Sequence, residues 1–226
     1  MTCRVFIGFD KRESAAFWIA KRAIEERASG PVEVRPIVQQ TLRLARLYNR
    51  TFDPLQSTEF TYTRFFVPYL AGYEGWALFM DCDMLVRGDI TELFDLADPR
   101  YAVMCVQHDH RPAEKVKMGD QTQTIYPRKN WSSMVLWDCG HEANMVVTPD
   151  LIGRETGSFL HQFKWLPDDL IGSVPLEWNW LVGWNTLDEC PDPQMVHYTT
   201  GIPGIHDGCA NLPFADEYLA LAERSI

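Results

Sequence analysis

Asp81 and Asp83 stand one residue apart, with Cys82 between them, directly after the uncharged run Trp76-Ala-Leu-Phe-Met80. Two Asp at i and i+2 of an extended chain project to the same side. Side by side they repel each other and resist ionising together. A hard divalent cation removes that penalty, and carboxylate oxygens suit Mg²⁺ or Mn²⁺. The plainer alternative is that one Asp caps the following turn and the other is solvated. A short continuous apolar run reads as a strand buried on both faces. Open α/β sheets place ligands outside the carboxyl ends of such strands. The chemical reading is a metal site at a strand end.

Other residues carry candidate chemistry of the same kind. Asp10 ends the apolar segment Arg4-Val-Phe-Ile-Gly-Phe9. It is placed either to accept hydrogen bonds from a base or ribose, or to cap a helix starting near Glu13. His197 lies in the short apolar segment Met195-Val-His-Tyr198. A neutral imidazole there completes a two-carboxylate site with mixed N/O ligation, and a satisfied buried histidine is the other reading. Asp168-Asp169 either starts a helix or sets a carboxylate against a developing positive charge. Gly201-Ile-Pro-Gly204 is a turn whose backbone N–H groups suit a phosphate. His108 and His110 read as loop residues. Trp131, in a polar context, is the candidate platform for a sugar ring.

The elements that must position these residues form an alternating α/β pattern. A first strand ends at Asp10, and Glu13 to Ala28 carries Ala16, Phe17, Ile19, Ala20, Ala23 and Ile24 at helical spacing. Val32 to Ile37 reads as a second strand with an irregular end at Pro36. A strand–helix–strand unit predicts a parallel pair. A helix is expected over Glu59 to Leu70, then the central strand, a short helix after Gly88 and a strand over Tyr101 to Gln107. The polar stretch from His108 to Lys129 exceeds ~15 residues without periodicity, the length at which loops are often lids. Ser133 to Trp137 is a further strand, Phe159 to Phe163 a helix, and Phe214 to Arg224 a closing amphipathic helix. No repeat or linker is visible, so residues 1–226 read as one domain.

Composition narrows the function classes. The chain has 226 residues, 46% of them apolar, with eight Trp, which supports a real core and excludes a disordered chain. A net charge of −10 without a basic cluster argues against nucleic acid as a partner. The six cysteines lie far apart with no Cys-x-x-Cys pair, so zinc-site spacing is absent. No run approaches the roughly 18 to 20 apolar residues of a membrane span, and Met1-Thr-Cys-Arg opens no long apolar region. A cytoplasmic protein is the expectation.

Taken together, the chain resembles the family-8, glycogenin-like glycosyltransferases of the GT-A fold. The matching stretches are Phe6-Ile-Gly-Phe-Asp10, Thr61-Tyr-Thr-Arg64 with Pro68-Tyr-Leu70, Phe79-Met-Asp81-Cys-Asp83 through Phe94, and Asn130-Trp-Ser-Ser through Asp138. Pro167-Asp-Asp-Leu-Ile171 and His197-Tyr198 complete the series, in the family's order over most of the chain. The resemblance implies a single Rossmann-like α/β domain with a mostly parallel central sheet flanked by helices. It implies a UDP-sugar donor, a glycan, protein or lipid-linked acceptor, and retention of anomeric configuration in transfer of a hexose-type sugar. It implies Mn²⁺, or Mg²⁺, on Asp81, Asp83 and His197, and base or ribose contacts from Phe9 and Asp10. Arg64, Asp81, Cys82, Asn130 and Gly201 match donor-binding positions, and Asp168 matches the position beneath the anomeric carbon.

Two departures set rival readings. The family carries a Lys on the diphosphate in the turn after the metal histidine. Gly201 to Gly204 has none, and His206 is the nearest basic residue. The family's Asp-Gln-Asp is here Pro167-Asp168-Asp169. A sugar-nucleotide binder without catalysis is therefore the first rival. A phosphatase of the haloacid-dehalogenase type, which also sets Asp-x-Asp after a buried strand, is the second.

Overall fold

The structure is a computed structural model that describes residues 2–51, 53, 56–109 and 127–225. Among them the strands are Cys3–Phe9 (β1), Val32–Val38 (β2), Trp76–Met80 (β3), Met84–Val86 (β4), Val103–Cys105 (β5), Met134–Asp138 (β6), Ile171–Ser173 (β7), Trp180–Leu181 (β8) and Met195–His197 (β9). The α-helices are Ser14–Arg27 (α1), Gln39–Leu44 (α2), Val67–Leu70 (α3), Ile90–Asp95 (α4), Pro149–Arg154 (α5), Gly157–His161 (α6) and Ala215–Ser225 (α7). The large sheet has the order β2-β1-β3-β6-β5-β7. β1 pairs parallel with β2 and β3, and β5 pairs parallel with β7; β6 is antiparallel to both its neighbours. The sheet is thus mostly parallel with one reversed strand. A small sheet, β4-β9-β8, stands beside it.

β3 is central because it has no polar side chain to expose: Ala77, Leu78, Phe79 and Met80 are all fully buried. α1 buries the stripe Ala16, Phe17, Ile19, Ala20, Ala23 and Ile24, as its periodicity requires. It packs on β1, β2 and β4 and is itself covered by α7. All six cysteines are free and buried, and act as small hydrophobes.

Two expectations are corrected. β2 does not become irregular at Pro36: it continues to Val38. It is the edge strand of the sheet, where a missing N–H costs no ladder bond. The single helix over Glu59 to Leu70 is instead a turn, a 3₁₀ segment Thr63–Phe66 and the one-turn α3. Tyr62 to Val67 are buried without interruption, so this stretch has no solvent face to support an amphipathic helix. Pro68 sits in the first turn of α3, where its missing N–H is harmless, and does not end a helix. The expected loop from His108 to Lys129, His110 included, falls mostly on residues 110–126, outside the described residues.

Gly8 marks where β1 meets the turn that precedes the 3₁₀ segment. A Cβ at this position would lie 2.5 to 2.9 Å from three atoms of the Phe60 ring. That ring in turn lies 5.4 Å beneath the Arg64 guanidinium. Gly8→Ala should therefore destabilise the fold by about 1–3 kcal/mol through overpacking. Denaturant unfolding checks this, and a midpoint equal to the wild type would contradict the close packing.

Candidate functional site

Asp81 and Asp83 lie in the tight turn by which the chain leaves β3 for β4. The stretch is not extended, as alternation alone would have it, yet its two carboxylates still converge. β4 then pairs antiparallel with β9 in the register Met84↔His197, and the Tyr198 N–H donates to the Asp83 carbonyl at 3.0 Å. That pairing brings in His197 from far along the chain. Ligand atoms of Asp81, Asp83 and His197 all lie within 4.8 Å of one another.

Burial opposes charge on every member. On Asp81, burial and the Asp83 charge outweigh the neighbouring Arg64 guanidinium, and the carboxyl is pushed above the usual range. On Asp83, burial is outweighed by His197, and the carboxyl is held below it. His197 is likewise opposed by burial, but Asp83 and then Asp81 raise it. His197 Nε2 lies 3.4 Å from Asp83 Oδ1, and Arg64 Nη1 lies 3.0 Å from Asp81 Oδ1. Neither carboxylate oxygen accepts an aligned hydrogen bond among the described residues. Buried acceptors left without donors, beside an imidazole, fit a hard divalent cation. Which ion they hold is not fixed by this donor set.

The supporting shell was not legible in the motif. His197 Nδ1 faces Asn179 Oδ1 at 3.1 Å, and Asn179 Nδ2 donates to Ser133 Oγ at 2.9 Å. Ser133 Oγ donates to the Asn130 carbonyl at 2.6 Å. With Nδ1–H given to Asn179, Nε2 is the nitrogen turned toward the carboxylates and the one a cation would take on losing its proton, the usual orientation of a ligating histidine. The Ser133 carbonyl accepts from the Asp81 N–H at 2.9 Å, and the Ser132 carbonyl accepts from Arg64 Nη1 at 2.9 Å. Arg64 Nε also donates to the Phe60 carbonyl at 3.3 Å. Ser132 and Ser133 thus form a hub that holds Asp81, Arg64 and His197. The sequence signal for it is weak: two serines before a strand and an Asn between Trp178 and Trp180.

The remaining candidates are placed as follows. Asp10 is buried and fully engaged. It accepts from Arg12 N, Nε and Nη2 at 2.9, 2.9 and 2.5 Å and from Glu59 N at 3.0 Å; the bond from Arg12 N caps the 3₁₀ turn Lys11–Glu13 that leads into α1, whereas α1 itself starts after Glu13 without a side-chain cap. Phe9 packs edge-on against Phe17 with ring centroids 5.9 Å apart. The Cys82 thiol is buried, 3.8 Å from Glu13 Oε2, and so points away from the cluster's outer side. Asn130 holds the left-handed conformation, φ 66°, at the entry to the serine pair. Gly201 has φ 136°, and a Cβ there would meet Cys209 Sγ at 2.7 Å. His206 Nδ1 accepts from the Ile202 N–H at 3.0 Å, and its Nε2 lies 3.4 Å from Glu13 Oε1. Asp168 is exposed on a 3₁₀ turn, Asp168–Leu170, and is ion-paired with Arg128. Arg128 lies 5.4 Å over Trp131, whose Nε1 donates to the His108 carbonyl at 3.0 Å.

A mostly parallel sheet flanked by helices, with two acids at the end of its central strand, defines the GT-A glycosyltransferase fold, and solved structures agree. The bifunctional glycosyltransferase WbbM superposes with a TM-score of 0.70 at 14% identity, over 99% of this chain and 50% of WbbM. The glycosyltransferase GlyE of Streptococcus pneumoniae TIGR4 gives 0.63 at 16%, over 98% of this chain and 60% of GlyE. The galactosyltransferase LgtC, solved with donor and acceptor sugar analogs, gives 0.62 at 14%, over 98% of this chain and 96% of LgtC. This chain therefore spans about half the length of WbbM and three-fifths of GlyE. At these identities the likeness establishes the fold alone. No family model matches the chain. Protein CDI of Arabidopsis thaliana is 49% identical over 219 residues, 96% of this chain and 84% of that protein, and the chain belongs to the same family.

Asp10 gives a stability prediction. Burial disfavours its charge, but the hydrogen bonds from Arg12 and from the Glu59 backbone prevail and hold its pKa below the ordinary range. Asp10→Ala should cost about 1–3 kcal/mol at neutral pH by leaving these donors unanswered. A depressed carboxyl contributes fully above its unfolded value of about 3.9 and loses that contribution as pH falls through the folded value. The gap between wild type and Asp10→Ala should therefore persist at neutral pH and narrow only in the acid range. Urea midpoints across pH check it.

Proposed function

We propose that the chain is a metal-dependent glycosyltransferase that draws its sugar from a UDP-sugar, of the family-8, retaining, hexose-transferring type. The carrying observation is the convergence of Asp81, Asp83 and His197, with His197 oriented through Asn179 so that Nε2 faces the carboxylates. These three residues would hold Mn²⁺ or Mg²⁺. Such an ion, when bound, offsets the charge that grows on the leaving diphosphate.

The chain's own residues have distinct tasks in this reading. Arg64, buried beside Asp81, supplies fixed positive charge on the donor side of the cluster. In the turn from Gly201 to Gly204 the Gly201 N–H donates to the Tyr198 carbonyl at 3.2 Å, the Ile202 N–H to His206 Nδ1 at 3.0 Å, and Pro203 has none, so in this reading Gly204 is the residue of the turn whose N–H would meet a phosphate. The end of β1, at Phe9, is the base and ribose end in this reading; the Asp10 carboxylate, taken up by Arg12 and Glu59, would shape that end and not contact the donor itself. Asn130, Cys82 through its backbone, and Trp131 line the sugar. Asp168, steered by Arg128, faces the anomeric carbon. It either attacks that carbon as the bond to the phosphate oxygen breaks, to be displaced later by the acceptor hydroxyl, or stabilises the positive charge while the acceptor enters on the face the diphosphate leaves. The acceptor is a saccharide, protein or lipid-linked glycan. Among the described residues no helix is long and apolar enough to cross a membrane.

A donor-binding protein without turnover is the second reading, favoured by the absence of a Lys between Gly201 and Gly204. A panel of UDP-sugars, each with Mn²⁺ and with chelator, separates the two. The transferase reading expects metal-dependent thermal stabilisation and slow release of UDP from one donor. Stabilisation without release, with every acceptor class supplied, would favour the binder, and no stabilisation by any nucleotide would refute both. Asp83→Ala should abolish the Mn²⁺-dependent stabilisation while leaving the metal-free melting temperature near wild type. Retained stabilisation would remove Asp83 from the site.

A further inference from the structure

The Asp81 Oδ1 atom that lies 3.0 Å from Arg64 Nη1 is also an oxygen left without an aligned hydrogen bond. A cation at the cluster and the Arg64 guanidinium therefore address one atom. Arg64 Nη1 is shared between this atom and the Ser132 carbonyl, to which it donates at 2.9 Å, while Nε donates to the Phe60 carbonyl at 3.3 Å; this seat directs its N–H to backbone and leaves the ion pair to Asp81 without an aligned hydrogen bond. The firmness of that seat decides how much of Asp81 remains for a metal.

His161, at the end of α6, braces this seat from two directions. Its Nδ1 lies 2.7 Å from Ser132 Oγ, on the residue whose carbonyl receives Arg64. Its ring stands edge-on to Phe65, the residue after Arg64, with centroids 5.2 Å apart. Burial, with Arg64 adding to it, pushes the imidazole down to about 3, so the ring contributes no charge of its own at neutral pH. A neutral imidazole keeps one N–H; with that N–H given to the Thr61 backbone, Nδ1 is the acceptor and Ser132 Oγ–H its donor. His161 has no place in the donor chemistry above, and nothing in its local sequence marks it.

We infer that His161 is a positioning residue which, by accepting the Ser132 hydroxyl, fixes the carbonyl that shares Arg64 Nη1 with Asp81 and so sets the affinity of the Asp81–Asp83–His197 cluster for a divalent cation. The inference rests on the metal reading of that cluster. It makes Arg64 a competitor whose grip on Asp81 is regulated from the far side of the serine pair. Loosening the brace lets the guanidinium settle onto the carboxylate, and a metal must then displace it.

The test is Mn²⁺ affinity of the full chain, read from the free-ion EPR signal, alongside melting temperature. His161→Phe keeps a ring against Phe65 and removes the acceptor; Ser132→Ala removes the donor. Each should weaken Mn²⁺ binding on the order of tenfold, the lower end of what outer partners of a metal site contribute. His161→Asn, whose amide oxygen stands near the Nδ1 position, should recover most of the affinity. In an Arg64→Met background, His161→Phe should weaken binding no further, because its effect runs through Arg64. A lowered melting temperature with unchanged Mn²⁺ affinity in His161→Phe would reduce His161 to packing and overturn the inference. If His161→Phe does not fold, unchanged affinity in Ser132→Ala overturns it equally. Absence of Mn²⁺ binding in the wild type would overturn the metal reading and this inference together.

Discussion

Two carboxylates buried at one turn repel each other, and most of what surrounds Asp81 and Asp83 answers that repulsion. Water cannot screen them well, because Asp81 is buried and Asp83 is only partly exposed. Protein charge is supplied unevenly: Arg64 sits on the Asp81 side and His197 on the Asp83 side. The outcome is one carboxyl pushed up and one held down, the pattern of acids that cannot both carry charge unaided. A buried charge cluster of this kind is a poor device for stability. A bound cation at the end of the apolar strand β3 would account for it.

Holding such a cluster open requires neighbours that cannot collapse onto it. The serine pair Ser132-Ser133 meets this need with backbone and side chain together. Its carbonyls take Arg64 and the Asp81 N–H, while its hydroxyls take His161 and Asn179. The turn before it is entered through Asn130 in the left-handed region, which an Asn tolerates better than a bulkier residue. Sheet pairing does the remaining work, since β9 could not deliver His197 without the Met84↔His197 register. The rival phosphatase reading leaves that histidine and its Asn179 support without a task, and the GT-A likeness adds no support for it.

The strongest sequence signals were those created by burial on two faces. Trp76 to Met80 and Arg4 to Phe9 have no polar alternation, so both read directly as buried strands, and the acid pair after the first of them reads as a metal site. The helix over Glu59 to Leu70 was misjudged because Phe60, Tyr62, Phe65, Phe66 and Val67 are buried on all sides, and a period needs an exposed face to appear. His197 was found from its apolar setting and from the family likeness. Its support was not: Asn179 and His161 join the network across 18 and 29 residues, and a hydrogen bond at such separation leaves no local pattern. Asp10 shows the opposite case. A capping role was open to view in its spacing to the following helix; the structure puts the cap on the 3₁₀ turn Lys11–Glu13 before that helix and fills the remaining acceptor positions with the Arg12 side chain and the Glu59 N–H.

The central claim is that Asp81, Asp83 and His197 bind one divalent cation together. Pulsed EPR of Mn²⁺ added to the chain labelled with ¹⁵N-histidine tests it most directly. The account predicts coupling to one histidine nitrogen, abolished in His197→Ala and absent from Mn²⁺ in buffer. A spectrum of the hexaaquo ion alone, or a histidine coupling that survives His197→Ala, would contradict it.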